Sequence, residues 1–205
     1  MVDLVRAPAG VYRIWRTVLA AAVLGLVGHP LKGEVLAVPS LAEGTAAPIP
    51  AWTLLSAFAA VLPCLCLHGP MGELEAMGAK VYERRRMARF ALVVLAACLV
   101  HLAVLNLSVT GRTVAAVALA LPGWLGIALL SGRVFGWRQS WLLPAVYLAV
   151  VGSVGAKDPQ GHAVWWDFTE GFTAGGLATV ADVTLLLACG IAAFKTPTLS
   201  RLPVR

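Results

Sequence analysis

Three polar side chains stand inside apolar runs, and they are the first places where chemistry could occur. Asp182 falls within the run 173–194, and His101 and Asn106 fall within the run 87–109. A carboxyl buried in a long apolar segment is expensive, so it marks a functional candidate by default. At about 1.5 Å of rise per residue, His101 lies roughly 18 Å along its helix from Arg89, a depth near that of Asp182. A His101–Asp182 pair between two helices is therefore allowed. Two roles are open to it. One is a hydrogen-bonded lock between helices; the other is a proton relay or substrate contact.

The remaining inventory is lean. No His-Glu-x-x-His helix or Gly-x-Ser-x-Gly elbow occurs, so no catalytic residue is assigned. The four cysteines, Cys64, Cys66, Cys98 and Cys189, all sit in apolar runs and read as small buried hydrophobes. Cys64 and Cys66 lack a second pair or a nearby histidine cluster, so no metal site is expected. His29 and His68 are expected near opposite faces of a membrane and no two histidines share a helix, which argues against haem. No Gly-x4-Gly-Lys-Ser/Thr loop is present, so no nucleotide is expected to bind this chain directly.

The longest polar connection is His68 to Arg89, HGPMGELEAMGAKVYERRRMAR. Gly69 and Pro70 stop the preceding helix. Met71, Leu74 and Met77 then recur at helical spacing beside Glu73 and Glu75, and Gly78 closes the stretch. A second polar helix, Lys80 to Arg86, runs on into the next apolar segment. A short helix lying crosswise between two spans offers a knob to a partner; the plainer reading is a loop whose arginines set topology and meet anionic lipid.

Composition says what must position these residues. Hydrophobic residues make up 60% of the chain and charged residues 13%, and the mean hydropathy is +0.84. Soluble domains carry roughly 45–50% apolar and about 25% charged residues, so lipid has to solvate much of this chain. A span needs roughly 20 mostly apolar residues. Six candidates follow, at 15–31, 50–67, 87–109, 113–130, 140–154 and 173–194, within a single domain covering 1–205. Pro63, Pro122 and Pro144 are tolerable inside them. Arg6, Arg13 and Arg16 precede the first run and no small-x-small site follows before Pro30, so that run is expected to be a retained span.

The charge pattern sets the orientation. All Lys and Arg except Lys32, Arg112 and Lys157 fall on alternate connections and on the two termini. The positive-inside rule then places both termini in the cytoplasm. The net charge of +6 is thus topological and implies no nucleic-acid partner. Trp15, Trp52, Trp137, Trp141, Trp165 and Trp166 fall near proposed span ends, where amphipathic rings favour headgroups; Trp124 sits well inside a span. The reading is an all-α integral protein of the plasma membrane, multi-pass, with six transmembrane helices. The connection 155–172 holds Ala163-Val164-Trp165-Trp166-Asp167-Phe168, too apolar for a plain loop and too short to cross. A half-inserted or interface-lying helix fits it.

This layout resembles the permease subunits of ABC exporters of the drug and polysaccharide type. Gly72-Glu73-Leu74-Glu75 followed by Arg84-Arg85-Arg86 looks like the Gly-x-Leu-Glu and arginine-rich stretch of their coupling region. The resemblance implies ATPase coupling through Met71, Glu73, Leu74, Glu75 and Met77, and an outer gate at Trp165, Trp166 and Phe168. It also implies cytoplasmic ABC ATPase subunits that hold ATP and Mg, and a second permease subunit, the same or related. The chain by itself would not be an enzyme. Two alternatives stand beside this: a membrane enzyme or proton-linked carrier centred on Asp182 and His101, and an accessory scaffold subunit.

Overall fold

Six of the apolar runs become helices, and the residues at their ends show why each begins and stops. The computed structural model describes residues 8–31, 34–39, 46–65, 80–107, 109–154, 168 and 176–195. Helix α1 is Pro8–Val27; proline suits a first helical position because its N–H would be unpaired there anyway. Helix α2 is Ala51–Leu65, with Pro63 inside it. Helix α3, Lys80–Asn106, joins the basic stretch and the apolar run in one continuous rod. Helix α4 is Gly111–Phe135. It passes the expected end at Leu130 and stops at Gly136, whose φ of +97° suits a residue without Cβ. A 3-10 turn, Trp137–Gln139, leads into α5, Leu142–Val154, and the last helix, α6, is Gly176–Lys195.

One element departs from the all-helical expectation. Between α1 and α2, β1 (Val35–Pro39) and β2 (Ala46–Pro50) pair antiparallel, Val35 opposite Pro50 and Pro39 opposite Ala46. Pro39, Pro48 and Pro50 bar a helix here, while Val35, Val38 and Ile49 favour extended backbone. The hairpin is bound to the start of α2 by the Ala51 N–H, which donates to the Glu34 carbonyl at 3.1 Å. Most of the described residues are helical, so the hairpin is a local exception to a helical fold.

The core has two storeys, and together they reveal the direction of each helix. Near the hairpin, Ala57 and Ala60 of α2, Leu105 of α3, Val117, Leu121 and Trp124 of α4, and Val183 of α6 cluster. Further away, Val61 and Cys64 of α2 meet Ala128 and Leu129 of α4, with Phe90 of α3 and Ile191 and Phe194 of α6 packed on them. Helices α2, α4 and α6 thus run away from the hairpin, and α3 runs towards it. Helix α1 is parallel to α3, because Gly25 faces Val104 and Gly28 faces Leu105. Helix α5 opposes α4: its Leu143 amide reaches Ser131, and its Tyr147 ring reaches Trp124. The six described helices therefore alternate in direction.

Two helical stretches, Met87–Asn106 and Gly111–Phe135, are long and apolar enough to cross a membrane. The first carries three of its leucines outward: Leu92 is 61% exposed, and Leu95 and Leu99 are each 57% exposed. Trp15, Leu19 and Leu26 of α1, Phe58 of α2, Val146 of α5 and Leu185 of α6 are exposed as well.

Candidate functional site

His101 is placed by a four-residue repeat. Val93, Ala97, His101 and Leu105 form one buried strip along α3, as residues four apart on a helix must. Thr17, Ala21, Gly25 and Gly28 form the facing strip on α1. Small residues let the two backbones close up: a Cβ on Gly25 would lie 2.9 Å from the Val104 Cβ and 3.2 Å from the His101 carbonyl oxygen. The imidazole in this seam is 0% exposed. The Ala21 backbone lies within its reach, yet neither ring nitrogen closes a hydrogen bond of good geometry. A neutral imidazole carries one donor and one acceptor. Leaving such a group buried and unpaired costs about 1–3 kcal/mol.

Asp182 stands elsewhere. It is half-buried on α6 beside Val183, and α6 packs chiefly on α4, while α3 packs chiefly on α1. Similar depth does not give proximity in a bundle, and the His101 nitrogens accept or donate no bond from Asp182. The allowed His101–Asp182 pair is therefore not formed. Asn106 is exposed in the last turn of α3, away from both.

Phe168 is the described residue of the apolar connection before α6. Its ring is 2% exposed and enters the bundle near the hairpin storey. It lies 5.0 Å from the Trp124 ring and 5.1 Å from the Tyr147 ring, and those two rings are 5.3 Å apart. Gly123 makes the room, since a Cβ there would lie 3.0 Å from the Phe168 ring. Edge-on and tilted aromatic contacts of this length are favourable beyond the area they bury. The buried Trp124 indole N–H has no acceptor. Trp165 and Trp166 lie outside the described residues, as do Met71, Glu73, Leu74, Glu75 and Met77.

The opposite end is organised by two features that the sequence reading passed over. Ser131 Oγ donates to the Gln139 carbonyl at 2.7 Å and accepts from the Leu143 amide at 3.2 Å. It thus fastens the 3-10 turn and satisfies an amide in the first turn of α5 from a distance in sequence. Trp137 then folds over Gly132, and its ring meets Phe194 at 5.4 Å, while Phe194 stacks on Phe90 at 5.3 Å. The small pair Ser131-Gly132 beside an aromatic was the available signal. Among the described residues no three His, Cys, Asp or Glu side chains gather as a metal site.

No protein-family model, curated protein or solved structure matches this chain.

Proposed function

We infer that this chain crosses the membrane with all six helices, the hairpin outside and the opposite end in the cytoplasm. The observation that carries this is the coincidence of direction and charge. Alternating helices bring Arg89, Arg133, Arg138 and Lys195 to one end of the bundle, though they come from three helices and a turn. The positive-inside rule makes that end cytoplasmic. Outward-facing Leu92, Leu95 and Leu99 support lipid as the solvent, because an apolar helix in the core of a soluble protein would bury those side chains.

On that topology the connection from α2 to α3, residues 66–79, is cytoplasmic. It holds the Met71 to Met77 pattern that resembles a coupling helix. The functional reading is a transmembrane subunit of an ABC-type exporter, paired with a second permease subunit and driven by a separate ATPase. The carrier or enzyme reading built on Asp182 and His101 has weaker support, since the two side chains pack against different helices. The test is co-purification of an ATPase subunit with the tagged chain from its native membrane. Leu74→Asp should abolish that co-purification while the membrane part stays folded, because a charge in a buried contact patch has no partner. An ATPase retained by the variant, or none recovered with the wild type, overturns the exporter reading.

A further inference from the structure

The three aromatic rings at the cytoplasmic end do more than close the bundle. Each is the sequence neighbour of an exposed cation on a different element: Arg89 beside Phe90 on α3, Arg138 beside Trp137 in the 3-10 turn, and Lys195 beside Phe194 on α6. Ring contacts of 5.3 and 5.4 Å therefore join the three elements that carry these cations at one end of the bundle. The acidic residues on the described elements are Glu34 at the hairpin, Asp182 in the upper half of α6 and Glu83 on α3. Glu83, earlier on α3, is the acid along the helices nearest this end. We propose that Arg89, Arg138 and Lys195 form a binding site for the phosphate headgroup of an anionic phospholipid in the cytoplasmic leaflet.

Two observations favour a lipid over a soluble phosphate. From Arg89 an exposed apolar track leads along α3 through Leu92, Leu95 and Leu99, where acyl chains would lie. Val134 and Phe135 flank the turn bearing Arg138 and are 67% and 45% exposed. Basic clusters between helices at the cytoplasmic surface suit anionic headgroups. Helix geometry adds to this at one point only: Lys195 ends α6, where the dipole already favours a cation, so it has a structural reason to be there as well. Arg89 near the N-terminal part of α3 and Arg138 in the turn have no such reason.

The proposal rests on the membrane reading, and its test separates the two. The full chain in neutral detergent is mixed with vesicles of phosphatidylcholine alone or with added phosphatidylglycerol, and bound lipid is counted by native mass spectrometry. Phosphatidylglycerol should be retained in preference, and the preference should fall as salt rises. Each cation removed, as Arg89→Gln, Arg138→Gln or Lys195→Gln, should lower it about fivefold. Arg112→Gln, at the outer end, should leave it unchanged. Equal retention of both lipids, an unchanged triple variant, or displacement by inorganic phosphate at millimolar levels overturns the lipid site. A chain that stays monodisperse without detergent overturns the membrane reading instead.

Discussion

Gly126 and Gly190 touch backbone to backbone: a Cβ on Gly190 would lie 2.6 Å from the Gly126 carbonyl oxygen. This contact is the crossing of α4 and α6, the most extensive helix pair in the bundle. A Cβ on Gly126 would strike the Leu186 carbonyl in turn. Close approach of this kind lets van der Waals contact between backbones hold two helices together.

The crossing should therefore tolerate no side chain. Gly126→Ala and Gly190→Ala each should lower stability by about 1–3 kcal/mol, read as a fall in melting temperature in detergent. Gly111, whose Cβ would meet nothing within 4 Å, is the control and should change little on replacement by Ala. Equal melting temperatures for Gly126→Ala and Gly111→Ala would contradict this crossing.

Ser131 offers a second test. Its hydroxyl serves the Gln139 carbonyl and the Leu143 amide together, so Ser131→Ala strands both groups. The expected loss is about 1–3 kcal/mol. Thr184→Ala should be nearly silent, because that exposed hydroxyl bonds back to the Val180 carbonyl of its own helix. Hydrogen exchange at the Leu143 amide should rise in the first variant and stay put in the second.

Six helices and their rough limits were legible because apolar length and charge alternation are local properties of sequence. The α3 rod beginning at Lys80 was readable for the same reason. What escaped was set by partners distant in sequence. The helical reading missed the β1–β2 hairpin, although Pro39, Pro48 and Pro50 were there to forbid a helix. Gly123 and Gly126 are small residues three apart on α4, but only the fold shows that one receives Phe168 and the other Gly190. Depth along a helix suggested a His101–Asp182 pair; azimuth, which sequence does not fix between helices, separates them.

Topology can be checked directly. In a background lacking the native cysteines, Glu34→Cys should react with an impermeant thiol reagent added outside intact cells. Arg138→Cys should react only after the membrane is opened. Both positions are exposed at opposite ends of the bundle, so accessibility within the protein does not confuse the result. A reversed pattern would invert the whole arrangement.

The buried imidazole yields the most discriminating measurement. His101 fills a fully closed seam between α1 and α3, and neither nitrogen has a partner of good geometry. If the ring is a space-filler, a residue of similar bulk without polar atoms should serve as well or better, because removing an unpaired polar group relieves its desolvation penalty. His101→Leu should then match or exceed the wild type in melting temperature. His101→Ala should lose about 2–4 kcal/mol through the cavity it opens. The coupling energy between His101→Leu and Asp182→Leu should be below about 0.5 kcal/mol, the additivity expected of sites that share no contact. A coupling well above that value would restore the pair. A fall in stability for His101→Leu alone would mean that the imidazole does close a hydrogen bond, with the Ala21 backbone within its reach. Activity is the separate readout: a stable His101→Leu protein that no longer works would give the ring a role beyond packing.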